Sequence, residues 1–333
     1  MAWSKVFSFT DPLPYRAAIR ASDVEVVPTT KQNFQSDLTQ VTFDRLWMQR
    51  FHDRQPQIRT SQIKPGRKVI FFLTGEQPPF LHRGKELMSQ DIAICNHDVT
   101  HMRSESSSHF ASMSLTIDDL DAAYKAIAGP EFSGLQLKDR IQPSQPLMTR
   151  LRQLHHKAGV IARTTPNLFE LPEVVRSLED QTIHAMICCL TEGAALELPL
   201  ANRRHDMVVA RFEGFLEANP DQALYLTEIC AAIGVAERTL RLACQEHLGM
   251  GPIRYLTLRR MNLVRRALQR ADASTATVTQ LATDHGFWEL GRFSVSYRRL
   301  FGESPSETLR RRYSDDKAIK PNLPSSLREF SFS

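Results

Sequence analysis

The sequence predicts an α+β protein, in which a small β-barrel or sandwich with accompanying helices precedes an all-α domain with two helix-turn-helix motifs. Three observations support this fold class. Between residues 23 and 117, short apolar runs alternate with turn residues. Between residues 226 and 305, a helix-turn-helix pattern occurs twice. The excess positive charge of the chain is confined to its last third.

The composition predicts a soluble, cytoplasmic protein with a substantial core. The chain has 333 residues, of which 42% are hydrophobic, enough for one or two domains. No apolar run reaches the length of about 18 residues that is typical of a membrane span, and the first residues lack the apolar segment of a signal peptide. The five cysteines are odd in number and lack CxxC spacing. This favours free thiols in a reducing compartment, with a redox sensor as the alternative.

The N-terminal region is predicted to consist mostly of strands after an irregular start. The first 20 or so residues contain Pro12 and Pro14 and are expected to be irregular. Beyond them, apolar residues form short runs or alternate with polar ones, at 24–26, 69–73, 92–95 and 113–117. Pro-Gly, Pro-Pro and Arg-Gly pairs between these segments indicate turns. Several short strands at this spacing predict a small sandwich or barrel.

Helical patterns follow the strands. Asp118 and Asp119 are placed to cap a helix that ends at Gly129. A second helix is expected to end near Gly159, and a third to begin near Pro172. Both carry apolar stripes, with Leu147, Leu151 and Leu154 in the second and Val175, Leu178, Thr182, Met186 and Leu190 in the third. These stripes are suited to packing on the sheet, to forming a dimer seam, or to both.

The change of pattern along the chain predicts the domain boundaries. Residues 20–195 are assigned to the strand-rich domain and residues 205–313 to the all-α domain, with a linker at 192–204. Asp206 is expected to cap the first helix of the second domain. The polar tail at 314–333 is predicted to be disordered.

The all-α domain contains one pattern twice, each copy being a short helix, a turn at a glycine followed by a hydrophobic residue, and a second helix. The turn glycines, Gly234 and Gly286, are 52 residues apart. Each second helix ends at a glycine that a proline follows three residues later, and these prolines, Pro252 and Pro305, are 53 residues apart. The near-constant offset predicts two helix-turn-helix units.

The charge distribution indicates a polyanionic partner for this domain alone. Residues 203–313 contain 17 arginines, no lysine and 12 acidic residues, a net charge of +5. The whole chain has the same net charge, so the remainder is neutral. A basic domain joined to a neutral one is typical of a nucleic-acid-binding module attached to a domain with another role.

Each predicted recognition helix has a polar face opposite its apolar face. In the first helix, Arg238, Arg241 and Gln245 are spaced i, i+3, i+7 and share one side. In the second, the corresponding side carries Glu289, Arg292, Ser296 and Arg299. A charged stripe on a lone helix usually indicates only a solvated face. The duplication and the local charge favour double-stranded DNA instead, because arginine binds guanine edges and phosphates.

An arginine-rich helix at about 252–270 is predicted to join the two units. It carries six arginines and no acidic residue. Its 19 residues correspond to roughly 28 Å of helix, close to the ~34 Å between successive major grooves on one side of DNA. We therefore expect the recognition helices to lie in adjacent grooves, with Arg260 and Arg266 near phosphates.

The most distinctive run of the second unit is Gly286-Phe287-Trp288, followed by Arg292-Phe293-Ser294 and by the segment from Tyr297 to Pro305 with its Phe-Gly-Glu-Ser-Pro ending. With these residues, the segment at about 207–312 resembles the DNA-binding domain of the AraC/XylS family of bacterial transcription regulators. The resemblance covers about a third of the chain. It implies a seven-helix domain with two helix-turn-helix units and a linker helix.

The resemblance also implies which positions contact bases. These are Arg238, Arg241 and Leu242 in the first unit, and Leu290, Gly291, Arg292 and Val295 in the second. Because the second set is mostly apolar, we expect that unit to read few bases by hydrogen bonds. It is expected to grip phosphate through Arg292, Arg298 and Arg299, or to contact thymine methyl groups through Leu290 or Val295.

The N-terminal region resembles the cupin-like sensor domain of the same family more weakly. Residues 88–94 stand where the family often has a Gly-Asp turn into a strand, although Gln90 replaces the glycine. The resemblance implies a small-molecule effector pocket inside the barrel and a homodimer formed through the helices. It also implies activation of transcription, with RNA polymerase as a partner.

Catalytic, metal and cofactor sites are not predicted. The strand-rich region has five histidines without a His-x-His pair or another spacing typical of metal ligands, namely His52, His82, His97, His101 and His109. His97 and His101 are near enough in sequence to meet in a turn. The sequence contains no Gly-rich phosphate loop and no nucleophile elbow. Two alternatives to a transcription regulator stay open: a constitutive, non-specific DNA-binding protein, and a cupin enzyme fused to a DNA-binding domain.

Overall fold

The structure, a computed structural model, describes residues 2–30, 34–96, 99–129, 138–195, 200–219, 222, 224–311 and 320–321. The predicted disordered tail at 314–333 lies outside the described residues except for two of them, and so does His97. Within the described part, no helix is long and apolar enough to cross a membrane. The α+β fold class is confirmed, with strands concentrated in the first half of the chain and helices in the second.

Two antiparallel sheets form the N-terminal domain. The strands are β1 (Trp3–Phe9), β2 (Ser22–Pro28), β3 (Ser36–Thr42), β4 (Trp47–Asp53), β5 (Gln57–Ile63), β6 (Arg67–Leu73), β7 (Phe80–His82), β8 (Lys85–Glu86), β9 (Ile92–Cys95), β10 (Val99–Ser104), β11 (Ser108–Thr116), β12 (Arg140–Gln142), β13 (Ala194–Ala195) and β14 (Lys320–Pro321). The first sheet has the strand order β13-β12-β9-β6-β11-β4-β3-β1-β14, and the second has the order β2-β5-β10-β7-β8. The described strands are not closed into one barrel, so they take the sandwich form of the two predicted architectures.

Strand β6 shows how the sandwich is built. Val69, Phe71 and Leu73 belong to the core between the two sheets. Ile70 and Phe72 point to the opposite side and belong to a second core, under the helices. The continuous apolar run at 69–73 therefore marks a strand that is buried on both faces, because successive side chains alternate across a sheet.

The expectation that the first 20 residues are irregular is wrong. Strand β1 pairs along its whole length with β3, and a short helix, α1 (Pro12–Ala18), follows it. Asp11 caps α1 by accepting a hydrogen bond from the backbone N–H of Leu13 at 2.7 Å. Pro12 and Pro14 fit this helix because the first backbone N–H groups of a helix have no partner within it.

Three long helices cover the outer face of the first sheet: α2 (Ile117–Ala128), α3 (Gln145–Thr164) and α4 (Pro172–Glu192). A short 3₁₀ helix at Pro166–Glu170 connects α3 to α4. The predicted stripe on α3 packs against this sheet, as the packing alternative expects, and the stripe on α4 is buried mainly against α2 and α3. The dimer seam stays a prediction.

Two helix boundaries differ from expectation. Thr116, rather than an aspartate, caps α2, and its hydroxyl accepts a hydrogen bond from the N–H of Asp119. Helix α3 continues past Gly159 to Thr164. Gly159 is one of the buried residues of α3, where a Cβ would make ordinary van der Waals contacts with Arg163 and Arg50, at 3.5 and 3.8 Å. The burial of its neighbours Ala158 and Ala162 maintains the helix through a residue with poor helix propensity.

The described part of the C-terminal domain contains seven helices: α5 (Leu200–Ala218), α6 (Leu226–Ile233), α7 (Glu237–Leu248), α8 (Pro252–Arg270), α9 (Val278–Asp284), α10 (Leu290–Phe301) and α11 (Pro305–Arg310). Helices α6 and α7 form one helix-turn-helix unit, and α9 and α10 form the other. The turn glycines Gly234 and Gly286 have φ values of 66° and 79°, in the left-handed region that glycine tolerates. The expectation that Asp206 caps α5 is wrong, because this helix already begins at Leu200.

Each helix-turn-helix unit has its own core, and α8 contributes to both. Tyr255 and Leu256 of α8 pack in the core of the first unit. Val264 and Leu268 of α8 pack in the core of the second unit, which includes Phe293. Helix α8 is therefore the common support of the two recognition helices, α7 and α10.

The first helix-turn-helix unit also packs against the N-terminal domain. Val27 of β2 and Ile58 of β5 point out of the second sheet and are buried in the core of the first unit, beside Phe212 of α5. The outer face of the second sheet is thus covered by the C-terminal helical domain, just as α2–α4 cover the outer face of the first sheet.

Candidate DNA interface

Helix α7 presents the predicted base-contacting residues to solvent. Arg238, Arg241, Leu242 and Gln245 are all exposed. The opposite side of the helix carries buried residues that anchor it to the first unit's core, among them Leu240, Ala243, Cys244 and Leu248. This division follows from the helical period of 3.6 residues, and it leaves an exposed, largely polar face available for a groove.

The exposed face of α7 is held only by weak local contacts. The Arg241 guanidinium donates hydrogen bonds to Glu237 at 2.5 and 2.8 Å within the same helix. The Gln245 amide donates to the carbonyl oxygen of Gly249 at 3.2 Å. An exposed i,i+4 ion pair contributes about 0.3–0.5 kcal/mol, so Arg241 can exchange Glu237 for a ligand at little cost.

Helix α10 has a different exposed surface. Gly291, Arg292, Arg298 and Arg299 are exposed, and Val295 is 70% exposed. The Arg292 guanidinium lies 2.7 Å from the Glu289 carboxylate.

Leu290 is only half exposed, because it packs against the core of the second unit. Of the two residues predicted to contact thymine methyl groups, Val295 is therefore the more accessible.

The arginines of α8 face the N-terminal domain more than the predicted DNA side. Arg266 donates a hydrogen bond to Glu25 at 3.1 Å, and Arg265 lies 3.4 Å from Asp11. Burial lowers the pKa of the Arg266 guanidinium, and its effect is larger than that of any neighbouring charge. A phosphate contact by Arg266 stays a prediction that requires the ion pair with Glu25 to open.

Arg260, the other α8 residue predicted to contact phosphate, is half-buried. Its guanidinium carbon lies 5.7 Å from the centroid of the Phe287 ring, in the second unit. Burial lowers the pKa of this guanidinium. Arg254, near the start of the same helix, is exposed.

Trp288 is a candidate that the sequence analysis did not select as a contact residue. It is 79% exposed and lies two residues before α10 begins at Leu290. Its neighbour Phe287 packs in the core of the second unit, so the two rings point apart. The Gly-Phe-Trp turn could have indicated this exposure in the sequence. Two adjacent aromatic residues in such a turn do not both point into the core, and Phe287 is the one that does.

Comparison with known proteins places this interface in a family context. A family profile described as a helix-turn-helix domain matches residues 229–311. The "Probable thc operon regulatory protein" of Rhodococcus erythropolis is 41% identical over 96 residues, covering 29% of this chain and 29% of that protein. The "XylDLEGF operon transcriptional activator 3" of Pseudomonas putida is 35% identical over 113 residues, covering 33% of this chain and 34% of that protein.

A solved structure of a probable AraC family transcriptional regulator from Rhodopseudomonas palustris is 34% identical. The match covers 32% of this chain and 99% of that chain, with a TM-score of 0.29. The chain belongs to the AraC/XylS family. The matches to the two curated relatives span about a third of the length of each. The AraC/XylS assignment therefore rests on the C-terminal domain.

In this AraC/XylS protein, buried polar contacts join the two domains. The Arg83 guanidinium, in the turn after β7, pairs with both carboxylate oxygens of Asp206 on α5. The same guanidinium donates to Asp139 at 2.6 Å. At the other end of the interface, Glu25 of β2 pairs with Arg259 and Arg266 of α8.

Two histidines meet at the centre of the domain interface. His101 Nε2, on β10, lies 3.2 Å from His247 Nδ1, on α7. Asp206 Oδ1 lies 4.0 Å from the same His247 nitrogen. Burial lowers the pKa of His101 to about 3, so its imidazole is neutral at neutral pH. Sequence spacing did not reveal this cluster, because 146 residues separate the two histidines; the suggested His97–His101 contact lies outside the described residues.

Two spaces in the structure bear on an effector. A cavity inside the sandwich, beside Arg59 and Phe110, has a volume of only about 30 Å³. Nearby, a buried network of Tyr15, Asp53 and Arg59 fills the sandwich. A groove of about 490 Å³ lies between the domains, and its walls include Arg16, Glu25, Arg266 and Arg270. The pocket expected inside the barrel is thus small here, whereas the groove is large enough for a small molecule.

Proposed function

We propose that this chain is a sequence-specific DNA-binding transcription regulator, in which α7 reads bases and α10 mainly anchors the protein on the phosphate backbone. One observation carries the proposal: two recognition helices with exposed arginines are supported by a single helix, α8. The 19 residues of α8 correspond to roughly 28 Å, close to the ~34 Å between successive major grooves. This spacing suits one chain that contacts two adjacent grooves.

The division of labour follows from the two exposed faces. Arg238, Arg241 and Gln245 on α7 carry side chains that form hydrogen bonds with base edges. On α10, Gly291 and Val295 offer no hydrogen-bonding side chain, while Arg298 and Arg299 suit phosphate. Trp288, at the opposite end of α10 from Arg298 and Arg299, adds an exposed apolar surface to this unit.

The N-terminal domain is proposed to respond to a small-molecule effector in the groove between the domains. A volume of about 490 Å³ lies within the range of roughly 300–1,000 Å³ that is usual for small-molecule sites. Both domains line this groove, so a ligand bound there would alter their contact. Activation of transcription, contact with RNA polymerase, a homodimer and a cytoplasmic location complete the proposal. The names of the relatives, which include an operon activator, support its regulatory part.

A competition gel-shift experiment tests the function. The full chain is first used to select bound sites from genomic DNA. Labelled selected site is then competed at physiological salt with unlabelled selected or unrelated DNA. We expect the selected site to compete at least about 1,000-fold better than unrelated DNA. Equal competition would instead support the non-specific DNA-binding protein, whose affinity comes from phosphate contacts alone.

A further inference from the structure

The cluster at the domain interface consists of three potential metal ligands from three elements. His101 lies on β10, Asp206 on α5 and His247 on α7. All three are buried, and one ligand atom of each lies within 4.8 Å of the others. We propose that His101, Asp206 and His247 form a binding site for a divalent transition-metal ion. The ligand types favour zinc, and the bound ion would fix the two domains against each other.

The distances suit a tetrahedral ion. Zinc binds imidazole nitrogen at about 2.0–2.1 Å, which puts two nitrogen ligands of a tetrahedral ion about 3.3 Å apart. His101 Nε2 and His247 Nδ1 are 3.2 Å apart. Asp206 Oδ1 lies 4.0 Å from His247 Nδ1 and reaches the ligand sphere with a small movement. Two imidazoles and one carboxylate are a common protein donor set for zinc, with water in the fourth position.

The buried histidines also lack other partners. Within the described residues, His101 Nδ1 and His247 Nε2 have no hydrogen-bond partner. Without a metal, the two histidines bury four ring nitrogens and form one hydrogen bond with each other. One hydrogen bond does not offset the free-energy cost of removing four polar nitrogens from water. A metal ion would replace this one hydrogen bond with two nitrogen–metal bonds at the facing nitrogens, His101 Nε2 and His247 Nδ1.

The surroundings orient the proposed ligands. Arg83 Nε donates to Asp206 Oδ1 at 2.7 Å, which fixes the carboxylate as outer-shell partners do in metal sites. Asp139 pairs with the same guanidinium and offsets its charge beside a cation. Gly84 leaves room for the His247 ring, since a Cβ at Gly84 would lie 2.9 Å from its Cδ2.

The experiment uses the full chain after treatment with a chelator and dialysis. Zinc binding is measured by titration calorimetry and by metal analysis, and the site is characterised with Co²⁺, which reports tetrahedral coordination by its visible absorption. We expect one tightly bound zinc per chain and a rise in Tm on its addition. His101→Asn, Asp206→Asn and His247→Gln should each weaken binding about 100-fold or more, and Arg83→Met by about 10–100-fold as an outer-shell change.

The matched control is the double variant His52→Gln/His109→Gln. These two histidines stack at 3.9 Å between ring centroids on an accessible part of the first sheet. The control should bind zinc as the unaltered chain does. Circular dichroism establishes that each variant is folded, and Asp206→Asn, which preserves side-chain size, provides a second route if the histidine variants unfold. The proposal is overturned if folded His101→Asn or Asp206→Asn binds zinc as tightly as the unaltered chain, or if the control loses the tight site.

Discussion

At the scale of single residues, Arg238 and Arg241 differ in what holds them before DNA binds. Both are exposed on α7, but Arg241 is paired with Glu237 in the preceding turn. This weak pair favours one position of the Arg241 side chain on the recognition face. A guanidinium that is already ordered loses less conformational entropy when it binds a guanine edge.

The first prediction concerns these two arginines. Arg238→Ala or Arg241→Ala should cost about 1–3 kcal/mol in binding to the selected site and should relax the preference at one base pair. The measurement is the affinity for a set of sites that differ by single base pairs. Arg176→Ala, an exposed arginine on α4, is the control and should change nothing. A loss that is equal on all sequences would reassign the arginine to phosphate contact.

Glu213 is a second residue whose environment determines its chemistry. It lies on α5, is 2% exposed and adjoins Tyr255 and Arg259. Burial raises the pKa of this carboxyl to about 8. The folded protein therefore holds a proton that the unfolded chain releases near pH 4.5. Between these two values the folded state binds more protons, so this residue lowers the free energy of unfolding as pH rises.

The second prediction follows from this sign. Glu213→Gln cannot ionise, so the variant should be more stable than the unaltered chain at pH 8, by roughly 2–4 kcal/mol. The advantage should shrink toward zero near pH 5. Urea unfolding at both pH values measures it. Glu173→Gln, at an exposed position on α4, is the control and should show no pH-dependent difference. A constant difference at both pH values contradicts the assignment.

At the scale of elements, α8 has two charged ends with different surroundings. Arg254, near its first turn, is exposed, whereas Arg265 and Arg266, near its last turns, pair with Asp11 and Glu25 of the N-terminal domain. The same helix thus supports both recognition helices and carries part of the domain interface. Movement of the N-terminal domain along α8 would change how the two units are presented to DNA.

The third prediction separates these two ends. Arg254→Ala should weaken DNA binding on all sequences and lower the slope of log affinity against log salt by about 1, because one phosphate contact is lost. Arg266→Ala should lower the slope less than Arg254→Ala does, since its guanidinium must first leave Glu25 before it can contact phosphate. The slope is measured by titrations between low and physiological salt. An equal reduction by Arg266→Ala would indicate that α8 leaves the N-terminal domain when DNA binds.

At the scale of the whole molecule, the two domains share an interface with both apolar and charged contacts. Val27 and Ile58 contribute apolar area to the core of the first unit, and the buried pair Arg83–Asp206 fixes the orientation. Breaking a buried ion pair on one side costs about 3–5 kcal/mol, because the remaining charge is left without compensation. The domains are therefore expected to unfold together.

The fourth prediction tests this coupling by calorimetry. The unaltered chain should unfold in one transition, and Arg83→Ala should lower the Tm and separate the transition into two. Lys64→Ala removes an ion pair with exposed Asp23 on the same domain and is the control. That change should cost less than about 1 kcal/mol, as exposed pairs do. A single, unshifted transition in Arg83→Ala would show that the pair does not couple the domains.

The sequence predicted the features that depend on local chemistry. Gly234 and Gly286 mark turns because glycine tolerates a positive φ, and the stripes of α7 and α10 follow the helical period. Features that depend on distant partners were not predicted. Strand β1 owes its form to pairing with β3, and Arg266 owes its position to Glu25, more than 200 residues away. Local pattern carries no information about such contacts.

The burial of Val27 and Ile58 affects how fragments of this protein behave. A fragment cut near residue 195 would expose both side chains on the bare outer face of the second sheet. Two such fragments would associate through that face, because removing apolar surface from water is favourable. A dimer of the isolated N-terminal domain would then be a product of the cut. Hybrid proteins that attach this domain to an unrelated DNA-binding module would expose the same apolar face of the second sheet. The native oligomeric state therefore has to be measured on the intact chain.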